Sequence, residues 1–600
     1  MRLHPMISME MLANIPPSFL LFAGSIITVL LRGTARNIFL VALPALAFVH
    51  IAYLPSGNGL QVSFLPGFGD LEMLRVDKLS KAFGYIFTLN AAAALLFAFY
   101  VKKAVQHTAA LVYIGSALGV VFAGDLITLY IYWELMAVSS TFVILARDTF
   151  KAKGAAFRYV MVHIFGGLLL LAGIVMTVSS GGGIAFDSFD YSGANLGTWL
   201  ILGGFLVNAA APGVSAWLSD AYPEASVTGG VILSAYTTKT SVYVLLRAFH
   251  GWEPLIWIGC VMTVFGIIYA LLENDMRRIL AYSIINQVGF MVCAAGIGTD
   301  LAISGATAHA FCHIIYKSLL WMSAGAVLYR TGKSRCTELG GLYKTMPMTL
   351  IFGTIGALAI SAVPLTSGFT SKTIIIAAAE HEHLLWPWIV LELASAGVFL
   401  HAGIKFPYFV FFNQDRGLRP KEAPSTMLWA MGILSFLCIY LGIRPQALYD
   451  ILPYTVDYQA YTVSHLVTQM QLLMFSALVF FLFLPMLKRT PTISLDTDWF
   501  YRKGGQFFYS TCDYLLNGIN ALAHKTLIAG FLKSVIRFAK DGPTTLLTWI
   551  LTPIWELSGT SKEQQAKLRE DLRENSQNGV FPIGITACLS VVILAFLFVF

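Results

Sequence analysis

Asp125-LITLYIYW-Glu134-LMAVSSTFVILA-Arg147 carries a single charge, Glu134, between its two ends. About twenty such residues wound as an α-helix cover the ~30 Å hydrocarbon core of a bilayer, so the run reads as a membrane span. An ionised carboxylate at membrane depth costs roughly 3 to more than 10 kcal/mol and persists where it faces a protein interior or a water-filled path. Glu134 is therefore read as a group on an ion or proton route. The plainer alternative is a carboxylate that only pins helix packing.

The rest of the chain repeats the pattern. Of its 600 residues 57% are hydrophobic and 12% charged, with a mean hydropathy of +0.72. That is about half the charge fraction of a soluble protein. Apolar runs of ~20 residues recur almost throughout, about sixteen in all, which predicts an all-α polytopic membrane protein. The first runs near 15–32 and the last near 580–600, with others near 225–248 and interrupted ones near 195–218 and 347–379. The start, MRLHPMISMEML, leads straight into an apolar run without a small-residue cleavage site, so no cleavable signal peptide is expected.

The net charge of +7 follows the membrane and gives no nucleic-acid signal. Loops after odd-numbered spans hold Arg32 and Arg36, Lys102 and Lys103, Arg147 to Arg158, Arg277 and Arg278, Arg330 to Lys344, and Arg416 to Lys421. Loops after even-numbered spans hold Asp70, Glu72, Asp187, Asp190, Asp300, Glu380, Glu382, Asp450 and Asp457. The positive-inside rule then makes the basic loops cytoplasmic, in a multi-pass protein of the cell (inner) membrane.

Seven cysteines are scattered with no C-x-x-C pair, so iron–sulfur and structural zinc sites are not expected. No G-x-G-x-x-G or G-x-x-x-x-G-K-[ST] loop is present, and no cofactor is expected. An ion gradient or another subunit must supply the energy.

Several spans carry basic groups. Lys239 lies in VILSAYTT-Lys239-TSVYVLL, eight residues before Arg247. A mid-span lysine is expensive when charged and so can exchange its proton; snorkelling to the interface suits Arg247 better. His309-AFC-His313-IIY-Lys317 forms the densest constellation. Spacing of i, i+4, i+8 drifts by about 40° per step, so the three share one helix stripe. Histidine titrates near neutrality and has two ring nitrogens, which suits a proton relay. Packing histidines bonded to hydroxyls are the alternative. A zinc site lacks a third ligand and the H-E-x-x-H glutamate.

Two spans contain helix breakers: GGFLV-Asn208-AAA-Pro212-Gly213-VSAWLSD and ALAISAV-Pro364-LTSGFTS-Lys372-TIII. Proline removes a backbone donor and glycine loosens the turn, so both helices should be interrupted near mid-membrane. Paired broken helices in two halves point to inverted repeats around an ion path. Beyond residue 490, apolar and polar residues alternate at helical spacing over 500–560, before a charged stretch and a last apolar run. Part of this region is expected to be an amphipathic helix lying in the interface plane. A small soluble domain would need more contiguous apolar sequence.

The motifs together resemble a family. They are Trp133-Glu134-Leu135-Met136, Trp217-Leu218-Ser219-Asp220-Ala221, Lys239 with Arg247, Met276-Arg277-Arg278-Ile279-Leu280-Ala281-Tyr282-Ser283 and Asn286-Gln287-Val288-Gly289. His309, His313 and Lys317 follow, then Leu339-Gly340-Gly341-Leu342, Met346-Pro347 and Gly368-Phe369-Thr370-Ser371-Lys372. Their order over roughly 105–415 resembles the large antiporter-like subunits shared by Mrp-type multisubunit Na⁺/H⁺ antiporters and the membrane arm of respiratory complex I.

The resemblance implies two inverted five-helix repeats, each with one broken helix, and a closing C-terminal span after a lateral helix. The expected division is 1–104 N-terminal helices, 105–250 first repeat, 251–415 second repeat, 416–490 peripheral helices, 491–579 lateral helix and cytoplasmic-side segment, and 580–600 final span. It also implies a proton route in which Glu134 pairs with a broken-helix lysine, Lys239 is the central relay, His309, His313 and Lys317 carry protons onward, and Lys372 serves the second half. Sister membrane subunits are the implied partners, with protons and Na⁺ as cargo.

One departure stands out. The family's broken-helix lysine falls on Asn208, which carries no proton, and serines and glycine replace the usual pattern around Pro212. His163, on the neighbouring span, is a candidate substitute partner for Glu134. The expected function is a proton/cation-translocating subunit of an Mrp-type antiporter. The alternatives are a pump subunit of a complex I-like redox assembly, and a non-conducting scaffold.

Overall fold

The computed structural model describes residues 14–65, 69–486, 490, 496–577 and 583–599. The N-terminal stretch read for a signal peptide falls largely outside the described residues. The chain is mostly helical, 77%. Two compact units divide it, Met1–Asp498 and Trp499–Phe600.

Eleven helices among the described residues are long and apolar enough to cross a membrane. The other five expected spans are short or divided. Pro17–Leu30 has 14 residues and Ile583–Val599 has 17. The remaining three are interrupted. Helices α1 (Leu196–Asn208) and α2 (Ala216–Ala221) fill one, and α3 (Val227–Leu233) and α4 (Thr237–Ala248) the second. Helices α5 (Pro347–Ile360) and α6 (Ser367–His381) fill the third. The interruption at 234–236 differs from the unbroken span expected at 225–248, where Ser-Ala-Tyr offers neither proline nor glycine as a signal.

The fold also contains strands that an all-α reading omits. Gly57–Asn58 pairs antiparallel with Arg75–Val76, and Gln61–Leu65 with Gly69–Glu72. Pro66 and Gly67 disfavour a helix here, and the loop's own backbone groups find partners across the hairpin.

Side-chain caps set many helix starts. Asp125 Oδ1 accepts from the backbone of Ile127 (2.9 Å) and Thr128 (2.8 Å) and opens Leu126–Leu145. Asp275 Oδ1 does the same for Met276–Ile297, accepting from Arg277 (2.8 Å) and Arg278 (3.2 Å). Each cap satisfies amides that the first helical turn leaves unpaired. The same two aspartates make the isolated bridges Asp125 to Ala185 and Asp275 to Arg335.

The breaks at 209–215 and 361–366 are built alike. Ala211 donates to the Leu206 carbonyl at 3.1 Å, and Val363 to that of Leu358 at 3.2 Å. Ala210 and Ala362 sit at φ 60° and 57°. Alanine in the left-handed region costs about 1–2 kcal/mol, strain of the kind that gathers at functional sites. Beyond α6, Leu385–Val398 continues through π-helical turns at Phe399–Lys405 and Tyr408–Phe412.

Met276–Ile297 and Asp300–Thr331 are almost entirely buried, whereas Phe150–Ser179 exposes Phe157, Phe165 and Leu168. A helix surrounded by protein can carry polar groups inward while the outer helices present apolar surface to lipid. Ser283, Asn286, Gln287, Ser304, Thr307, His309, His313 and Lys317 all lie on the two inner helices with exposures of 1% or less.

The second unit consists of Asp498–Ala523, π-helical His524–Leu532, Lys533–Leu557, Lys562–Gln577 and Ile583–Val599. The charged stretch after residue 560 is itself helical. Arg573 pairs with Asp541 at 3.4 Å, tying it to the helix before it.

Candidate functional site

The buried basic side chains are held by carbonyls that helix ends and breaks set free. Lys239 Nζ donates to the Ser234 carbonyl at 2.6 Å and to Thr238 Oγ1 at 3.0 Å. Lys372 Nζ donates to the Ile360 carbonyl, the last of α5, at 2.8 Å. A helix C-terminus carries partial negative charge, so each lysine finds compensation without a carboxylate bonded to it. Lys317 Nζ and both ring nitrogens of His313 make no hydrogen bond to any described group, although both residues are 0% exposed.

These groups lie in one electrostatic neighbourhood. Lys317 and His313 feel the charge of Lys239, and His309 that of Lys372. The rings of His309 and His313 lie 6.2 Å apart. His309 is held from both sides, with Nε2 3.1 Å from Gln287 Oε1 and Nδ1 3.2 Å from Ser371 Oγ. Gln287 also accepts from Tyr316 OH (3.2 Å) and donates to Asn286 Oδ1 (2.6 Å). These bonds engage both nitrogens of His309 and fix its ring orientation, while His313 keeps both nitrogens unbonded among the described residues.

Glu134 stands apart from this row. Its Oε1 is buried without a hydrogen-bond partner among the described residues, and a methyl added at Gly167 would collide with it. Its helix neighbours Ile131 and Val138 are 50% and 47% exposed, so the carboxylate borders an apolar outer face. His163 does not bond to Glu134. Its Nδ1 lies 2.7 Å from Asn208 Oδ1, and its ring packs on Tyr159 and Trp217 at 4.1 and 4.6 Å. Pro212 falls within the break that follows α1.

Arg247 does not snorkel. It is buried, and its guanidinium donates to Asp77 Oδ2 at 2.6 Å and to Tyr243 OH at 2.8 Å. An aspartate 170 residues away in the chain left no local sequence signal.

Three further groups escaped the sequence reading. Lys405 is buried and donates to the Ala270, Leu271 and Glu273 carbonyls at 2.6, 2.9 and 2.7 Å. His401 is 0% exposed, with Nδ1 2.8 Å from the Gly397 carbonyl. Glu392 is a half-buried carboxylate whose charge reaches Lys372. The available signal was three acidic or basic residues, Glu392, His401 and Lys405, within an otherwise apolar run.

Residues 123–399 match the family model described as NADH:quinone oxidoreductase/Mrp antiporter, transmembrane. This region, a little under half of the chain, is similar to the antiporter-like membrane subunits that the family model describes. The chain is 28% identical over 461 residues to a probable K⁺/H⁺ antiporter subunit (type A/B) of Rhizobium meliloti (strain 1021), covering 71% of this chain and 46% of that protein. It is 26% identical over 437 residues to hydrogenase-4 component B of Escherichia coli (strain K12), covering 65% of each. The chain thus spans about half to two thirds of the length of these relatives. The fold is shared with the Mrp complex from Dietzia sp. DQ12-45-1b, with a TM-score of 0.74 at 21% identity over 90% of this chain and 63% of that one.

Proposed function

We propose that the chain is a proton- and cation-translocating subunit of a multisubunit Mrp-type antiporter, moving protons along Lys239, Lys317, His313, His309 and Lys372. The observation that carries this reading is the row of fully buried basic groups in which Lys317 and His313 have no bonded partner among the described residues. Burying an unpaired cation is costly, and such groups in a membrane interior are functional by default. The two Asp-capped helices, their matching bridges and the two matching breaks support a pair of inverted five-helix repeats over 105–250 and 251–415. The division of the remaining chain given above is part of the same proposal, as are basic loops on the cytoplasmic side of an inner membrane.

Asn208 and His163 alter the first half. Their mutual hydrogen bond takes up the position of the family lysine, and Glu134 Oε1 has no hydrogen-bond partner among the described residues. Because Glu134 borders an exposed apolar face, its partner is proposed to come from a sister subunit. The likeness to hydrogenase-4 component B favours one second reading, a subunit of a redox-driven membrane complex.

The test is Na⁺- or K⁺-induced proton movement in inverted vesicles carrying the whole complex, comparing native protein with Lys239→Gln, Glu134→Gln and Asn208→Lys. Loss of the response in Lys239→Gln supports the route, and an unchanged response in an assembled complex rules it out. A native complex that ignores both cations yet acidifies on electron-donor addition supports the second reading.

A further inference from the structure

A cavity of about 570 Å³ opens on the face that carries the acid-rich loops, lined by Arg75, Asp77, Asp187, Arg247, His250 and Tyr454 among others. Arg75 pairs with Asp187 at 2.9 Å on its wall, and Arg247 with Asp77 at 2.6 Å. Arg247 has a side-chain exposure of 6%, against 36% for Asp77, so the pair closes the protein side of the cavity. The lining also includes Ile303, near the start of the helix that carries His309, His313 and Lys317.

The cavity therefore approaches the buried basic row at two points. Arg247 and Lys239 are eight residues apart on α4, about 12 Å at 1.5 Å per residue. Ile303 and His309 are six residues apart, about 9 Å. Between Arg247 and Lys239 lies Tyr243, fully buried, its hydroxyl held by the Arg247 guanidinium and by the Val121 carbonyl.

We infer that this cavity is an aqueous vestibule for protons and that the Asp77–Arg247 pair is its seal, separating the Lys239 row from the acid-rich face. The inference rests on the proton-route reading above and adds to it a place where the route meets solvent. The lining favours protons over alkali cations: Arg75, Lys78 and Arg247 outweigh Asp77 and Asp187. A positively lined passage repels Na⁺ and K⁺, while protons move by exchange between water and titratable groups.

Asp77→Asn is the discriminating variant. Asp77 also caps Lys78–Phe97 through Oδ1, accepting from Ser80 at 2.8 Å, and asparagine caps as well as aspartate. The substitution thus removes the charge opposite Arg247 and keeps the helix start. The whole complex, in proteoliposomes loaded with a pH dye, is given an acid jump in choline buffer without Na⁺ or K⁺. Asp77→Asn and Arg247→Gln are each expected to raise proton leak several-fold in complexes of unchanged subunit composition. Adding Lys239→Gln should return the leak to the native level. Separately, Ile303→Cys should react with a membrane-impermeant thiol reagent applied to the acid-rich face.

No leak from either variant, a leak that survives Lys239→Gln, or an unreactive Ile303→Cys would each overturn the inference. A leak that depends on Lys239 in a complex that shows no cation-driven proton movement would keep the seal and overturn the antiport reading, so the two failures are distinguishable.

Discussion

His163 Nδ1 and Asn208 Oδ1 lie 2.7 Å apart in a fully buried hydrogen bond that joins Phe150–Ser179 to the last residue of α1. An imidazole and an amide thus meet at the mouth of the first break. Replacing Asn208 by leucine leaves the imidazole without this partner, which costs about 1–3 kcal/mol. The expected result is a melting temperature several degrees lower for Asn208→Leu than for Asn208→Gln, read on the detergent-solubilised complex.

Neutralising Lys317 should separate stability from transport. Its ammonium is fully buried with no bonded partner among the described residues, and an apolar side chain of similar length removes that penalty. Lys317→Met is expected to melt at a higher temperature than native protein while losing most cation-driven proton movement. A lower melting temperature would mean that the ammonium is compensated in the membrane.

Gly167 gives access to Glu134 without altering its charge. A methyl there meets Glu134 Oε1, so Gly167→Ala must displace the carboxylate from the groove between the two helices. Its transport defect should match that of Glu134→Gln in direction and approach it in size. Gly203→Ala is the control, since its nearest neighbour would lie at an ordinary 3.7 Å.

The Asp77–Arg247 pair predicts an acid limb of stability. Burial raises the Asp77 carboxyl, but the Arg247 charge and the Ser80 amide outweigh it and hold the group below the ordinary carboxylate range. Ser80, Lys78, Arg75, Asp187 and His250 complete its surroundings. A lowered folded value means that the contribution is complete above about pH 4, the usual aspartate value, and fades as pH falls further. Melting temperature should therefore drop less steeply below that pH in Asp77→Asn than in native protein.

The left-handed alanines can be relieved directly. Ala362 at φ 57° bears the cost that glycine avoids, and Ala362→Gly should be neutral or stabilising by up to about 1 kcal/mol. Ala362→Val should destabilise. Equal losses in both would show that the methyl packing, with Ala362 fully buried, outweighs the backbone strain.

How much of this is legible in the sequence follows from the physics of each residue. Glu134, Lys239, His309, His313, Lys317 and Lys372 are visible because a charge in an apolar run is conspicuous. Pro212 and Pro364 mark two breaks. The third break, at 234–236, is silent because Ser-Ala-Tyr fits a helix, and a carbonyl taken up by Lys239 accompanies it. Lys405 and Glu392 lie in a span with no broken motif to draw the eye. Arg247 reads as a snorkelling side chain because its partner is remote in the sequence, beside the hairpin. Local pattern reports what a residue costs; only the tertiary arrangement reports what compensates it.

The like placement of His163 and His313 has an experimental use. Phe150–Ser179 and Asp300–Thr331 begin 150 residues apart, and His163 and His313 each stand thirteen positions into their helix. One histidine is anchored by an asparagine and the other has no bonded partner among the described residues. On the proposed inverted-repeat reading, the chain holds two versions of one component in the same bilayer. Transplanting the surroundings of one histidine to the other makes each half the internal reference for its twin.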